Sequence, residues 1–132
     1  MYRLGLARTS LDLDRVADAE SELAQGLVFV EESGEARHLA ELYRLRSECA
    51  RRRGVLDDAE TDLRLAIAVA HAQHSRLFEL RAVADLAELL AGRRRAREAR
   101  ALLHPVCAGF VAEGQGPELD RARALYATLR RR

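Results

Sequence analysis

LDDAETDLRLAIAVA, residues 56–70, decides the fold. Leu56, Ala59, Leu63, Ala66, Ile67 and Ala70 recur at three- and four-residue spacing, so a helix gathers them into one apolar stripe with the polar residues opposite. Two other stretches read the same way: VADAESELAQGLVFV at 16–30 and AREARALLHPVCAGF at 96–110. The three superpose with Ala19, Ala59 and Ala99 at equal intervals of 40 residues, each followed four positions later by Leu23, Leu63 or Leu103. Self-similarity at a period of this size is the signature of stacked repeats, in which each unit buries its apolar face against the next.

Outward from this stretch, Gly54 precedes it and suits the left-handed residue that closes a helix, while Asp57 and Asp58 fall in the first turn, where the helix dipole favours negative charge. The preceding helix is expected over about Ala36–Arg53, burying Leu39, Leu42, Leu45 and Cys49. The unit is therefore a two-helix hairpin. The pattern recurs over Leu77–Leu90, with Leu80, Val83, Ala87 and Leu90 inward, and again over Arg95–Val111. Pro105 lies inside that last helix and predicts a kink near Ala101–Pro105, because proline removes one backbone hydrogen bond and crowds the preceding turn. Residues 114–117, Gly-Gln-Gly-Pro, predict a break, with Pro117 opening a closing helix striped by Leu119, Ala122, Leu125, Tyr126 and Leu129.

The expected organisation is one all-α domain: hairpin units at about 1–33, 34–74 and 75–113, then a capping helix at about 117–131. The first unit looks short at its front. Its opening helix begins no earlier than Tyr2, and Leu4, Leu6 and Leu11 present an apolar edge with no earlier helix to cover it. Either a further domain precedes this edge or it self-associates.

Composition excludes several classes. The 132 residues carry net charge +1, from 22 basic and 21 acidic residues, so no global field draws in nucleic acid or an anionic membrane. No apolar run approaches the ~18 residues of a membrane span, and MYRLGLARTS lacks the apolar core of a secretion signal, so a cytoplasmic protein is expected. Cys49 and Cys107 form no CxxC pair and read as packed thiols.

Candidate chemistry is sparse. His71 and His74 share a helix face without a third ligand, so no metal site is expected. Asp57/Asp58 and Glu31/Glu32 are sequence neighbours whose side chains diverge, which does not make an acid/base pair. Arg51–Arg53, Arg93–Arg95 with Arg97 and Arg100, and Arg130–Arg132 are the densest charge clusters. Arg51–Arg53 and Arg93–Arg95 end first helices, where cations complement the dipole, and no stacking aromatics are interleaved with them, so nucleic-acid binding is not expected. Neither a catalytic constellation nor a cofactor motif is expected, and no enzyme is predicted.

The alanine at 19, 59 and 99, with the large apolar residue four positions on, resembles the second helix of the tetratricopeptide (TPR) hairpin. ELYRLRSECARRRG, DDAETDLRLAIAVA, FELRAVADLAELLAGRRRAREARALLHPV and PELDRARALYATL are similar to the carboxy-terminal TPR-like region of bacterial multidomain cyclase or AAA/STAND ATPase signalling regulators. The likeness spans about Glu35–Leu129. It implies a right-handed α-solenoid and a protein partner, or a fused ATPase or cyclase domain. No GxxxxGK[ST] loop or cyclase carboxylate pair is present, so those activities do not carry over. In that family's frame, Glu41, Arg44, Glu48, Arg51, Arg81 and Glu88 fall where first helices line the inner groove, with Asp85 nearby. They are read either as a partner-binding face or as a ladder of ions pairing along the helices. The function expected is a regulatory interaction scaffold; the alternative is a helical module that binds a small-molecule effector.

Overall fold

A computed structural model of the chain describes residues 4–109 and 116–131. The described residues form seven helices and no strand: α1 Leu4–Asp12, α2 Val16–Ser33, α3 Leu39–Arg52, α4 Leu56–Ala72, α5 Arg76–Gly92, α6 Ala96–Gly109 and α7 Pro117–Arg130. The chain is all-α. It packs as two compact units, Met1–Val69 and Ala70–Arg132, with the boundary inside α4.

The 40-residue period is written into the backbone as well as the side chains. Asp14, Gly54 and Arg94 have φ of 58°, 79° and 63°, and they stand 40 residues apart. Gly34 and His74, also 40 apart, have φ of 74° and 56°. At each member of the first set the following amide reaches back five residues: Arg15 to the Ser10 carbonyl at 2.7 Å, Val55 to Ala50 at 2.9 Å and Arg95 to Leu90 at 2.8 Å. A shorter bond nests inside each, from Asp14 to Leu11, Gly54 to Arg51 and Arg94 to Ala91. This paired pattern is the Schellman closure, which satisfies the last carbonyls of one helix and turns the chain straight into the next. Ser75 and His74 close α4 in the same way, onto Ala70 and His71.

In the first unit α1, α2 and α3 pack on one another, α1 touching both of the others. Their core is Ala7, Leu11, Ala19, Leu23, Leu42, Leu45 and Cys49, flanked by Val16, Leu27, Val30 and Leu39. Leu11 is thus a core residue and not part of an open edge: α3 lies over it, because the first helix of one hairpin packs beside the first helix of the next. Leu6 is exposed, as the sequence suggests, and the Leu4 side chain lies outside the described residues. Arg46 joins α4 to α3 through a two-pronged pair with Asp62, 3.0 and 2.8 Å. In the second unit α5, α6 and α7 all touch one another, repeating the three-helix arrangement of the first.

The alanines that mark the period are buried, Ala19, Ala59 and Ala99 being 0, 1 and 0 % exposed. A second small series runs through the first helices, where Ala7, Ser47 and Ala87, again 40 apart, are buried as well. Small side chains on both helices let their axes approach closely, and Leu23, Leu63 and Leu103 fill the space one turn on. α5 is buried on nearly every side, adding Ala82, Ala84, Leu86 and Leu89 to its expected stripe. α6 continues through Pro105, which is exposed; the carbonyl it leaves without a donor belongs to Ala101, on the same open side. α7 starts at Pro117, as expected, while the predicted end of α6 at Val111 and the break at 114–115 lie outside the described residues.

Candidate functional site

The charges singled out on the first helices are all engaged: Glu41 with Arg44 and Glu48 with Arg51 pair along α3, as an ion ladder would, and further partners come from other helices. Glu41 sits in the first turn of α3 and is only 1 % exposed. Taking a carboxylate out of water costs several kcal/mol unless it is paired and hydrogen-bonded. Arg44 grips it from one turn on, Nε to Oε1 at 2.8 Å and Nη2 to Oε2 at 2.9 Å, and Arg8 of α1 adds Nη2 to Oε2 at 3.0 Å. The Arg44 side chain is itself only 17 % exposed. Two guanidiniums thus hold one buried carboxylate, Arg44 from a nearly dry position and Arg8 from the half-exposed outer side.

Further along α3, Glu48 accepts from Arg51 Nε at 2.9 Å and from Arg52 Nε at 2.8 Å. Burial pushes its pKa up, but the two guanidiniums outweigh burial and hold the carboxyl below its ordinary value. Arg52 also donates to the Leu11 carbonyl at 2.6 Å, capping α1, and Arg53 pairs with Glu20 of α2 at 2.8 and 2.6 Å. The Arg51–Arg53 run therefore does more than complement the dipole of its own helix. It ties α3 to α1 and α2.

In the second unit Arg81 reaches Glu118 of α7 at 3.4 Å, with its guanidinium 5.9 Å from the centre of the Phe78 ring. Asp85 and Glu88 share Arg121 of α7, at 2.8 and 2.9 Å. Arg8, Glu118 and Arg121 are the partners of the candidate charges that sequence reasoning missed. A signal for two of them was present: Arg8 and Glu41 are 33 residues apart, as are Glu88 and Arg121, and the second pair lies two periods beyond the first with its signs exchanged.

The first unit also contains a cleft of about 370 Å³ lined by Glu20, Arg46, Ala50, Arg53, Val55, Asp58, Thr61 and Asp62. Its charged walls are largely neutralised by the Arg46–Asp62 and Glu20–Arg53 pairs, and Arg46 stacks 5.2 Å from the centre of the Tyr43 ring. Elsewhere, His71 is exposed and stands 3.4 Å from Glu79, while His74 occupies the left-handed turn position. Among the described residues no three His, Cys, Asp or Glu side chains are grouped to hold a metal ion. Burial, helped by the nearby Glu20 charge, pushes the Cys49 thiol up to about 11, leaving almost no thiolate at neutral pH. Cys107 is half-buried, and burial raises its thiol too. No helix among the described residues is long and apolar enough to cross a membrane.

Comparison with protein-family models, with curated proteins and with solved structures found no match.

Proposed function

We propose that this chain is a protein-interaction module: a TPR-like, right-handed α-solenoid of three hairpins and a closing helix that serves as the regulatory or sensory arm of an ATPase- or cyclase-linked bacterial signalling system. The observation that carries the reading is the 40-residue repetition of both the buried alanine and the left-handed turn. An array held by local contacts presents long, regularly spaced side-chain rows to a partner, which suits recognition better than catalysis. Of the first-helix row, the more exposed Glu48 and Arg51 in one unit, and Arg81 and Glu88 in the other, are the proposed contact residues, with the buried Glu41 and the largely buried Arg44 as their support on α3. Regulation then requires only that the partner's two states bind this face unequally.

The alternative, a small-molecule effector, has the cleft beside Arg46 in its favour. That cleft falls within the usual range of ligand volumes, but only Ala50 and Val55 supply apolar wall, whereas ligand pockets are mainly apolar. The protein reading therefore leads.

Affinity capture from the source cell, with the wild type and an Arg51→Ala/Glu88→Ala variant side by side, tests it. Both side chains are more than half exposed, so the fold should survive their loss. A protein retained by the wild type and lost by an equally stable variant supports the reading. Equal retention by both removes the face, and a metabolite that raises the melting temperature with no protein captured favours the effector.

A further inference from the structure

The two compact units differ sharply in charge. Met1–Val69 holds 10 arginines against 14 acids, net −4, and Ala70–Arg132 holds 12 against 7, net +5. Much of the basic excess in the second unit gathers where α6 and α7 run side by side. Arg100 Nη1 donates to the Leu129 carbonyl at 3.2 Å, the His104 and Tyr126 rings stack with centroids 6.0 Å apart, and Arg130 lies 5.7 Å from the centre of the Tyr126 ring. These contacts fix the two rows that meet at the seam: Arg97, Arg100 and His104 on α6, spaced by three and four, and Arg123, Tyr126 and Arg130 on α7, spaced likewise. Arg97 and Arg130 are exposed, and Arg100 and Arg123 are partly so. None of the four arginines makes an ion pair among the described residues. Among the described residues of α6 and α7 the acids are Glu98, held by Arg95, Glu118, held by Arg81 of α5, and Asp120 at the start of α7. The sequence reads the clusters holding Arg97, Arg100 and Arg130 as no nucleic-acid footprint and does not single out Arg123; helix pairing sets Tyr126 and His104 among them.

We propose that the α6–α7 seam docks a short acidic peptide segment of a partner protein, its carboxylates taken by Arg97, Arg100, Arg123 and Arg130. This surface is separate from the first-helix face and stands whether or not that face is used. Guanidinium forks match carboxylates in two-pronged fashion, and the Arg130–Tyr126–His104 stack holds part of the array in place before binding. The seam from Arg97 to Ala108 is about 16 Å long, room for about five extended residues. A short segment meets only the local basic field, whereas the chain as a whole, at net charge +1, offers a long polynucleotide little attraction. The acidic peptide is therefore the favoured occupant.

Fluorescence anisotropy with a labelled peptide of about five glutamates tests this, beside its glutamine counterpart and a longer oligothymidylate. The expected result is binding of the glutamate peptide alone, weakened at least tenfold by Arg97→Gln/Arg123→Gln/Arg130→Gln and by raising salt from ~50 to ~300 mM. Amide shifts of the wild-type chain should change along α6 and α7, a readout independent of whether the variant folds. No binding, shifts confined to other helices, or undiminished binding to a folded variant would overturn the proposal. Tighter capture of the oligothymidylate, or salt-sensitive self-association through the acidic unit, would overturn it in favour of those occupants.

Discussion

Arg94 and His74 occupy left-handed turn positions whose counterparts one period away, Gly54 and Gly34, are glycine. A side chain bearing Cβ is strained there by about 1–2 kcal/mol, and glycine recovers this less its extra freedom in the unfolded chain. Arg94→Gly and His74→Gly should each raise unfolding free energy by about 0.5–1 kcal/mol in urea denaturation. Glu41 makes the opposite case. The sequence reads Arg44 as one of a row that binds a partner or pairs along the helix, where Arg44→Glu would cost no more than a surface ion pair, ~0.3–0.5 kcal/mol. With Glu41 1 % exposed beneath it, that change sets two carboxylates together in a nearly dry site, and a loss of about 3 kcal/mol or more is expected. An Arg44→Glu chain as stable as the wild type would show that Glu41 is solvated or neutral. The Glu41 burial was not legible in the sequence, because the partner that helps neutralise it, Arg8, lies 33 residues away on another helix.

At the scale of elements, the sequence reading recovered every helix to within a few residues where the structure describes it, because leucine and alanine spacing and the turn residues speak to local structure. It did not recover how first helices pair with one another. Those contacts, Arg8 with Glu41, Arg81 with Glu118 and Arg121 with Asp85 and Glu88, depend on which helices become neighbours. For the same reason Leu11 reads as an open edge until α3 is placed over it. The ties within the first unit have an acid limit. Arg53 holds the Glu20 carboxyl below its ordinary value, and Glu48 lies low as well because Arg51 and Arg52 outweigh its burial. A carboxyl whose folded pKa is depressed contributes stability that is complete above its unfolded pKa, near 4.3 for glutamate, and is lost as pH falls through the folded value. Stability followed by circular dichroism should decline as pH drops below about 4.5. The deficit of Glu48→Gln relative to the wild type should be full at neutral pH and vanish at the acid end; a pH-independent deficit would show that the two arginines do not stabilise the charge.

For the whole molecule, one regularity connects sequence, backbone and packing: a helix pair recurs every 40 residues, each copy turning through a left-handed residue and closing over an alanine. Within each unit the same packing brings the charges of the first helices against a neighbouring helix and, in the second unit, packs α7 against α6. The regularity is tested most directly by the stabilities of Ala19→Leu, Ala59→Leu and Ala99→Leu in urea, with the exposed Ala101→Leu as the control. Three equivalent close helix contacts predict three similar losses of about 1–3 kcal/mol, with little change in the control. If any of the three accommodated leucine as easily as position 101, the copies would not be equivalent, and the repeat account would be contradicted.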